Sequence, residues 1–255
     1  MTISNDVRVD RRQDRVAVVT LNRPHVRNAI DSATQVALEQ VLVALSDDPE
    51  CGCVVLAASG EAFCAGFDIH EMANSSDDEL ARLREERPGW IVRIIQLPIP
   101  IVAAINGPAH GAGCLLAVAS DLRIGSERAS FTFGAASFGG VMFTALLPLL
   151  VGRATASDYL MTARTVPAED AFHTGLLNRL VPGDTLLTAA VDTAAMIASN
   201  SPASVRKIKE LLRASDGLDQ QSRYELEVRA ETELIGTQHS RALFRSFLGR
   251  SREDV

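Results

Sequence analysis

Two stretches of the chain place small residues between an apolar run and a helix-like segment. The first is Glu61-Ala62-Phe63-Cys64-Ala65-Gly66-Phe67-Asp68-Ile69-His70-Glu71-Met72, which follows the strand-like run Cys53 to Ala58. The second is Ile105-Asn106-Gly107-Pro108-Ala109-His110-Gly111-Ala112-Gly113-Cys114, which follows another apolar strand and opens an apolar helix. A strand, a tight turn and a helix start leave successive backbone N–H groups at a positive helix end, where an anion or developing oxyanion is stabilised. Two such turns could aim one N–H each at a single carbonyl oxygen. That chemistry asks for backbone geometry, not for a particular side chain.

Few titratable side chains stand near either turn. His110 immediately precedes the second, close to a helix N-terminus, which lowers its pKa and favours the neutral base form; the alternative is a ring that only hydrogen-bonds a backbone carbonyl. His70 and Glu71 follow the first turn and either border the site or face solvent, and Asp68 reads as a helix cap. The four cysteines (Cys51, Cys53, Cys64, Cys114) lie in or beside apolar segments without metal-ligand spacing, so they read as buried reduced thiols with no metal site.

The elements that would position these turns are legible from periodicity. Val7 to Asp10 and Arg15 to Leu21 read as strands. Asp31 or Ser32 can cap a helix to about Ser46, with apolar Val36, Leu38, Val41, Leu42 and Leu45, and Cys53 to Ala58 is the next strand. Strand–helix–strand order predicts a parallel, right-handed crossover. Glu79 to Gln96 is helical in character with Pro88-Gly89 interrupting it. Pro98 to Ile105 is a buried strand, Gly113 to Ser120 an apolar helix, Ala154 to Thr162 a helix and Leu176 to Val181 a final strand. After Pro182-Gly183 the pattern is helical throughout. The fold class is therefore α/β, with expected domains at 1–182 and 183–255.

Composition narrows the function. A 255-residue chain of 27.4 kDa with 47% hydrophobic residues can bury a large core. A formal net charge of −7 without a Lys/Arg block argues against nucleic-acid binding. The first residues are polar and no apolar run approaches the roughly 20 residues that span a bilayer, so a cytoplasmic protein without membrane attachment is expected.

With Leu21-Asn22-Arg23-Pro24 and Asn28-Ala29 ahead of the first turn, and Asp121 after the second, the chain resembles the enoyl-CoA hydratase/isomerase (crotonase) superfamily from about Val16 to Val181. The resemblance implies a spiral of strand–strand–helix units with a C-terminal helical trimerisation region, and a homotrimer or dimer of trimers. It implies a CoA thioester as substrate or ligand and no further cofactor. By the same resemblance, Phe67 and Ala112 supply the two oxyanion N–H groups, and the Ala65 carbonyl receives the adenine amino group. Gly66, Asp68, Ile69, His70 and Gly111 then build or border the substrate site, and Leu80, Leu83, Trp90 and Ile91 either line the acyl pocket or form an ordinary amphipathic helix facing the core. Arg27 is placed to approach CoA phosphates or is a surface cation. Ala112 stands where the family has glycine, which is acceptable only with a negative φ.

Departures from the family pattern bear on the reaction. A family hydratase uses two glutamates, one to orient and deprotonate water and one to protonate the α-carbon. The matching positions here are Leu115 and Ala135, and no acidic residue occurs between Glu127 and Asp158. A neutral side chain moves no proton. The expected function is enolate stabilisation on an acyl-CoA by decarboxylase- or isomerase-type chemistry, with His110 the candidate acid/base; the alternative is a member that binds acyl-CoA without turning it over.

Overall fold

The protein is described here from a computed structural model covering residues 5–249; residues 1–4 and 250–255, the outer ends of the two expected domains, lie outside the described residues. The chain opens with β1 (Val7–Arg11) and β2 (Val16–Leu21), paired antiparallel, followed by α1 (Ser32–Asp47) and β3 (Cys53–Ala58). Then come α2 (Ile69–Asn74), α3 (Asp77–Gln96), β4 (Ile101–Ile105), β5 (Pro108–His110) and α4 (Ala112–Ala119). The winding continues through β6 (Leu122–Ser126), β7 (Ser130–Thr132), α5 (Leu147–Thr162), β8 (Thr165–Pro167), α6 (Ala168–His173), β9 (Arg179–Val181) and α7 (Leu186–Ala198).

Two sheets result. The larger has strand order β1-β2-β3-β4-β6-β9 and is parallel from β2 onward; the smaller has order β5-β7-β8. From β4 onward each pair of strands divides between the two sheets (β4 and β5, β6 and β7, β8 and β9), an α/β spiral of strand–strand–helix units. Both faces of the large sheet are covered, as period-2 side-chain alternation requires. Ala17, Val19, Leu21, Val54, Leu56, Ile101, Ala103 and Ile105 join the core under α1, α3 and α4. Val16, Val18, Cys53, Val55, Val102 and Ala104 face the opposite way, onto Leu186, Ala190, Val191 and Ala194 of α7.

The chain falls into two compact units, Met1–Ser199 and Asn200–Val255. The first takes in α7, past the Pro182 boundary expected from the change to helical pattern, because α7 buries its apolar stripe on the large sheet. The second contains α8 (Pro202–Ala214), α9 (Gln220–Leu234) and α10 (Gln238–Gly249). No described helix is long and apolar enough to cross a membrane.

Three elements differ from their sequence reading. Pro88 does not interrupt α3, which runs unbroken; proline forfeits one backbone hydrogen bond and kinks a helix, but buried Trp90, Ile91 and Ile94 hold the downstream turns in place. The helix expected over Ala154–Thr162 is present as the second part of α5, preceded by a further helical stretch from Leu147 across a kink at Gly152 (φ 75°). The single strand expected over Pro98–Ile105 starts at Ile101, and a separate strand, β5, follows it after a break.

Candidate functional site

The first turn is lashed in place by the residues ahead of α1. Asn28 is 1% exposed. Its side-chain oxygen accepts from the Arg23 N–H (2.9 Å) and its amide donates to the carbonyls of Ser59 (2.8 Å) and Ala62 (2.9 Å). It sits at φ 55°, a left-handed conformation that asparagine tolerates better than most residues. The Arg23 guanidinium pairs with Asp31 at 2.9 Å and reaches Asp68 at 3.6 Å. Asp68 caps α2, accepting from the N–H groups of His70 (3.0 Å) and Glu71 (3.3 Å). The Leu21–Ala29 motif thus acts as scaffolding for the turn.

Backbone pairing decides where the Phe67 N–H points. Phe67 lies opposite Ile30 in a parallel bridge. Ile30 donates to the Gly66 carbonyl (2.8 Å) and accepts from the Asp68 N–H (2.9 Å), so Phe67's own N–H is directed away from Ile30. Ala112 is the first residue of α4, and its N–H is one of the leading donors that a helix cannot satisfy internally; the first backbone bond of that helix runs from Leu115 to Gly111 (3.0 Å).

The two turns meet through glycine. Gly66 has φ 108° and Gly111 has φ 47°, and a Cβ placed on Gly66 would stand 3.7 Å from the Ala112 nitrogen. Ala112 itself is absent from the positive-φ residues, so its methyl group is accommodated within the helix; Gly111 carries the unusual conformation instead. Close approach is enforced at Gly113, where a Cβ would fall 2.3 Å from the Cys64 carbonyl oxygen. Between them, β5 pairs with the first turn through the Cys64–Ala109 bridge and the His110 N–H to Cys64 carbonyl bond (2.9 Å). The buried Cys64 and Cys114 beneath these turns are no nucleophiles: burial pushes the Cys64 thiol up to about 12 and that of Cys114 higher still.

Each turn passes from one cavity to another along its length. Ala65 and His110 line a groove of about 930 Å³ together with Arg27, Arg128 and Pro24. Phe67 and Leu115, on the far side of the N–H groups, line an apolar cavity of about 830 Å³ with Leu83, Ile91, Met142 and Arg87. Leu80 and Ile69 join this cavity as well. Trp90 does not line it, but is fully buried with its ring centroid 6.1 Å from that of Phe67. Ala135 lines a third cavity, about 530 Å³, which shares Val141 and Met142 with the apolar one.

The sequence-selected side chains therefore do not all converge. Leu115 lines the apolar cavity and Ala135 the adjoining one, the two spaces meeting at Val141 and Met142. His110 belongs to the groove with Arg27, not to the apolar cavity; partial burial and the Arg27 charge hold its pKa below the ordinary imidazole value. Exposed His70 lines none of these three spaces. Glu71 is engaged by the Ser32 N–H and by Arg87, each at 2.8 Å. Tyr159 is 1% exposed and its hydroxyl pairs with Thr174 at 3.2 Å, a packing role.

Arg87 was missed by sequence reasoning. It is the one charged residue lining the apolar cavity among the described residues. The signal was present: Leu80, Leu83, Arg87, Ile91 and Ile95 follow the i, i+3, i+4 stripe of one helix face, on which an arginine is out of character.

Comparison with known proteins gives a consistent result. The family model described as enoyl-CoA hydratase/isomerase matches residues 11–253. The 2,3-dehydroadipyl-CoA hydratase of Escherichia coli is 32% identical over 246 residues, covering 95% of this chain and 96% of that protein. The short-chain-enoyl-CoA hydratase of Clostridium acetobutylicum is 31% identical over 245 residues, covering 94% of each. Among solved structures, the enoyl-CoA hydratase from Bacillus anthracis superposes with a TM-score of 0.89 at 30% identity over 95% of both chains.

Proposed function

Since this chain belongs to the enoyl-CoA hydratase/isomerase family, we propose that it binds an acyl-CoA thioester with the carbonyl oxygen held by the N–H groups of Phe67 and Ala112. What supports this reading is the close approach of the two turns at Gly66 and Gly111, with Ala112 leading a helix and the Phe67 N–H turned away from Ile30, between a groove containing arginines and an apolar cavity. In it, the CoA moiety lies along Ala65, Arg27 and His110, and the acyl chain enters beside Phe67 and Leu115. Ionised phosphates favour the cationic groove, and the acyl chain gains roughly 0.8 kcal/mol for each buried methylene.

The chemistry that fits is stabilisation of an enolate. When negative charge moves onto the thioester oxygen, two preorganised donors stabilise it more than they stabilise the ground state. Decarboxylation of a malonyl-type thioester needs little else. The bond from the α-carbon to the carboxylate breaks, its electron pair passes into the enolate, carbon dioxide leaves and water returns a proton to the α-carbon. Conventional hydration is disfavoured because, among the described residues, no carboxylate, histidine, lysine or tyrosine lines the apolar cavity. The same observation favours a second reading, in which the protein holds acyl-CoA without turnover. We further propose a homotrimer or dimer of trimers built with the second unit; exposed Ile208, Leu212, Tyr224 and Phe244 in that unit support association.

Calorimetry with acyl-CoAs of increasing chain length and with free CoA tests the binding reading. Affinity rising with chain length above that of free CoA is expected. Equal affinity for all, or none at millimolar concentration, would overturn it.

A further inference from the structure

Arg87 is buried to within 9% of its surface yet faces a cavity. One terminal nitrogen donates to Glu71 Oε2 at 2.8 Å, and the guanidinium carbon lies 4.1 Å from the centroid of the Phe67 ring. Its Nε–H is buried and has no hydrogen-bond partner. Leaving a charged donor unsatisfied costs more than the bond itself would contribute, and an apolar side chain of similar size would fill the stripe at no such cost. Glu71 does not supply the missing acceptor: its bonds run from the Ser32 N–H and from a terminal nitrogen of Arg87, each at 2.8 Å.

We infer that Arg87 is a specificity residue whose free Nε–H edge receives a carboxylate carried by the acyl group, making short dicarboxylic acyl thioesters the ligand class of this site. The inference rests on the thioester-binding reading and deepens it. A carboxylate uses both the charge and the fork-shaped donor set of a guanidinium, whereas a neutral oxygen uses only a single donor. Among the described residues, the others lining the cavity are apolar or small and offer an acyl carboxylate no other cationic partner. Position adds a length limit. The guanidinium is stacked on the ring of the residue whose N–H is aimed at the thioester, so the two recognised groups belong to one short acyl chain.

The test compares thioesters matched for chain length by calorimetry: malonyl- against propionyl-CoA, succinyl- against butyryl-CoA, and glutaryl- against valeryl-CoA. At least one dicarboxylic member is expected to bind about 10- to 100-fold tighter than its partner, the span of a charge-assisted hydrogen bond. Arg87→Met should collapse that ratio toward one. Arg87→Lys keeps the charge and most of the stem but lacks the Nε–H, and should cut it several-fold; emission from Trp90, the only tryptophan, reports whether each variant folds. Equal or weaker binding of every dicarboxylic member, or a preference that survives both substitutions, overturns the inference while monocarboxylic binding leaves the thioester site standing. Tighter binding of 3-hydroxybutyryl-CoA than of succinyl-CoA also overturns it. Absence of binding by every thioester overturns the inference together with the reading beneath it.

Discussion

Gly113→Ala separates close approach from ordinary helix propensity. Within a helix this substitution normally stabilises, because alanine is favoured over glycine by about 1 kcal/mol. Here the added Cβ would stand 2.3 Å from the Cys64 carbonyl oxygen and 2.8 Å from the Cys64 Cβ. An ordinary carbon–oxygen contact is about 3.3–3.6 Å, so α4 and the first turn must separate by about 1 Å. Both opposing groups are rigid, one backbone and one the root of a fully buried side chain, and overpacking of that kind costs about 1–3 kcal/mol. The net expectation is a loss of up to about 2 kcal/mol, or several degrees in Tm for a protein of this size. Because Ala112 leads α4 and Phe67 ends the first turn, the same displacement misaligns the two N–H groups, and thioester affinity should fall about 10- to 100-fold. Gly89→Ala in α3 is the control. Its Cβ meets only the flexible Arg93 terminus at 3.0 Å, so it should be neutral or stabilising. Thermal melts and calorimetry on the two variants decide the matter. A Gly113→Ala protein that melts higher and binds thioesters normally would refute the reasoning.

Asn28→Ala removes three buried side-chain hydrogen bonds and strands the Ser59 and Ala62 carbonyls, so urea denaturation should show a loss of about 2–4 kcal/mol; an unchanged midpoint would remove Asn28 from the scaffold. Crotonyl-CoA hydration, measured by loss of the enoyl absorbance, should be absent or many orders below that of a relative with both glutamates, because neither Leu115 nor Ala135 can move a proton. Efficient hydration would mean that another group has taken over the proton transfer. His110 should titrate below the ordinary imidazole value in an NMR experiment, remaining neutral to lower pH than a free histidine, and Arg27→Ala should raise its midpoint only partway because burial is the larger cause. A midpoint at or above the ordinary value would contradict the groove's geometry.

Much of the spiral was readable from the chain because its signals are local. Alternation in Val16–Leu21, the apolar run Cys53–Ala58 and the Asp31 cap each specify an element within a few residues, and the structure has them there. The two turns were readable too, since glycine at positions 66 and 111 between a strand and a helix has few other uses. What escaped was set by long-range pairing. Three-residue β5 and β8 carry no periodicity of their own and exist because they pair with β7. The surroundings of Leu115 and Ala135 depend on where Val141 and Met142 fold back, which spacing along the chain does not encode. Arg87 lay on a helix face read for its apolar residues alone, and its meaning emerged only from a buried, unpartnered Nε–H on a side chain that lines a cavity.

The most direct test of the two-donor site is isotope-edited infrared spectroscopy of a thioester labelled with carbon-13 at its carbonyl. Two fixed N–H groups polarise that bond more than mobile water does. The labelled stretch should therefore move to lower frequency on binding than it has in water, and the shift should shrink in Gly113→Ala. A bound thioester whose carbonyl stretch matches or exceeds its aqueous frequency would contradict the claim that Phe67 and Ala112 hold the oxygen.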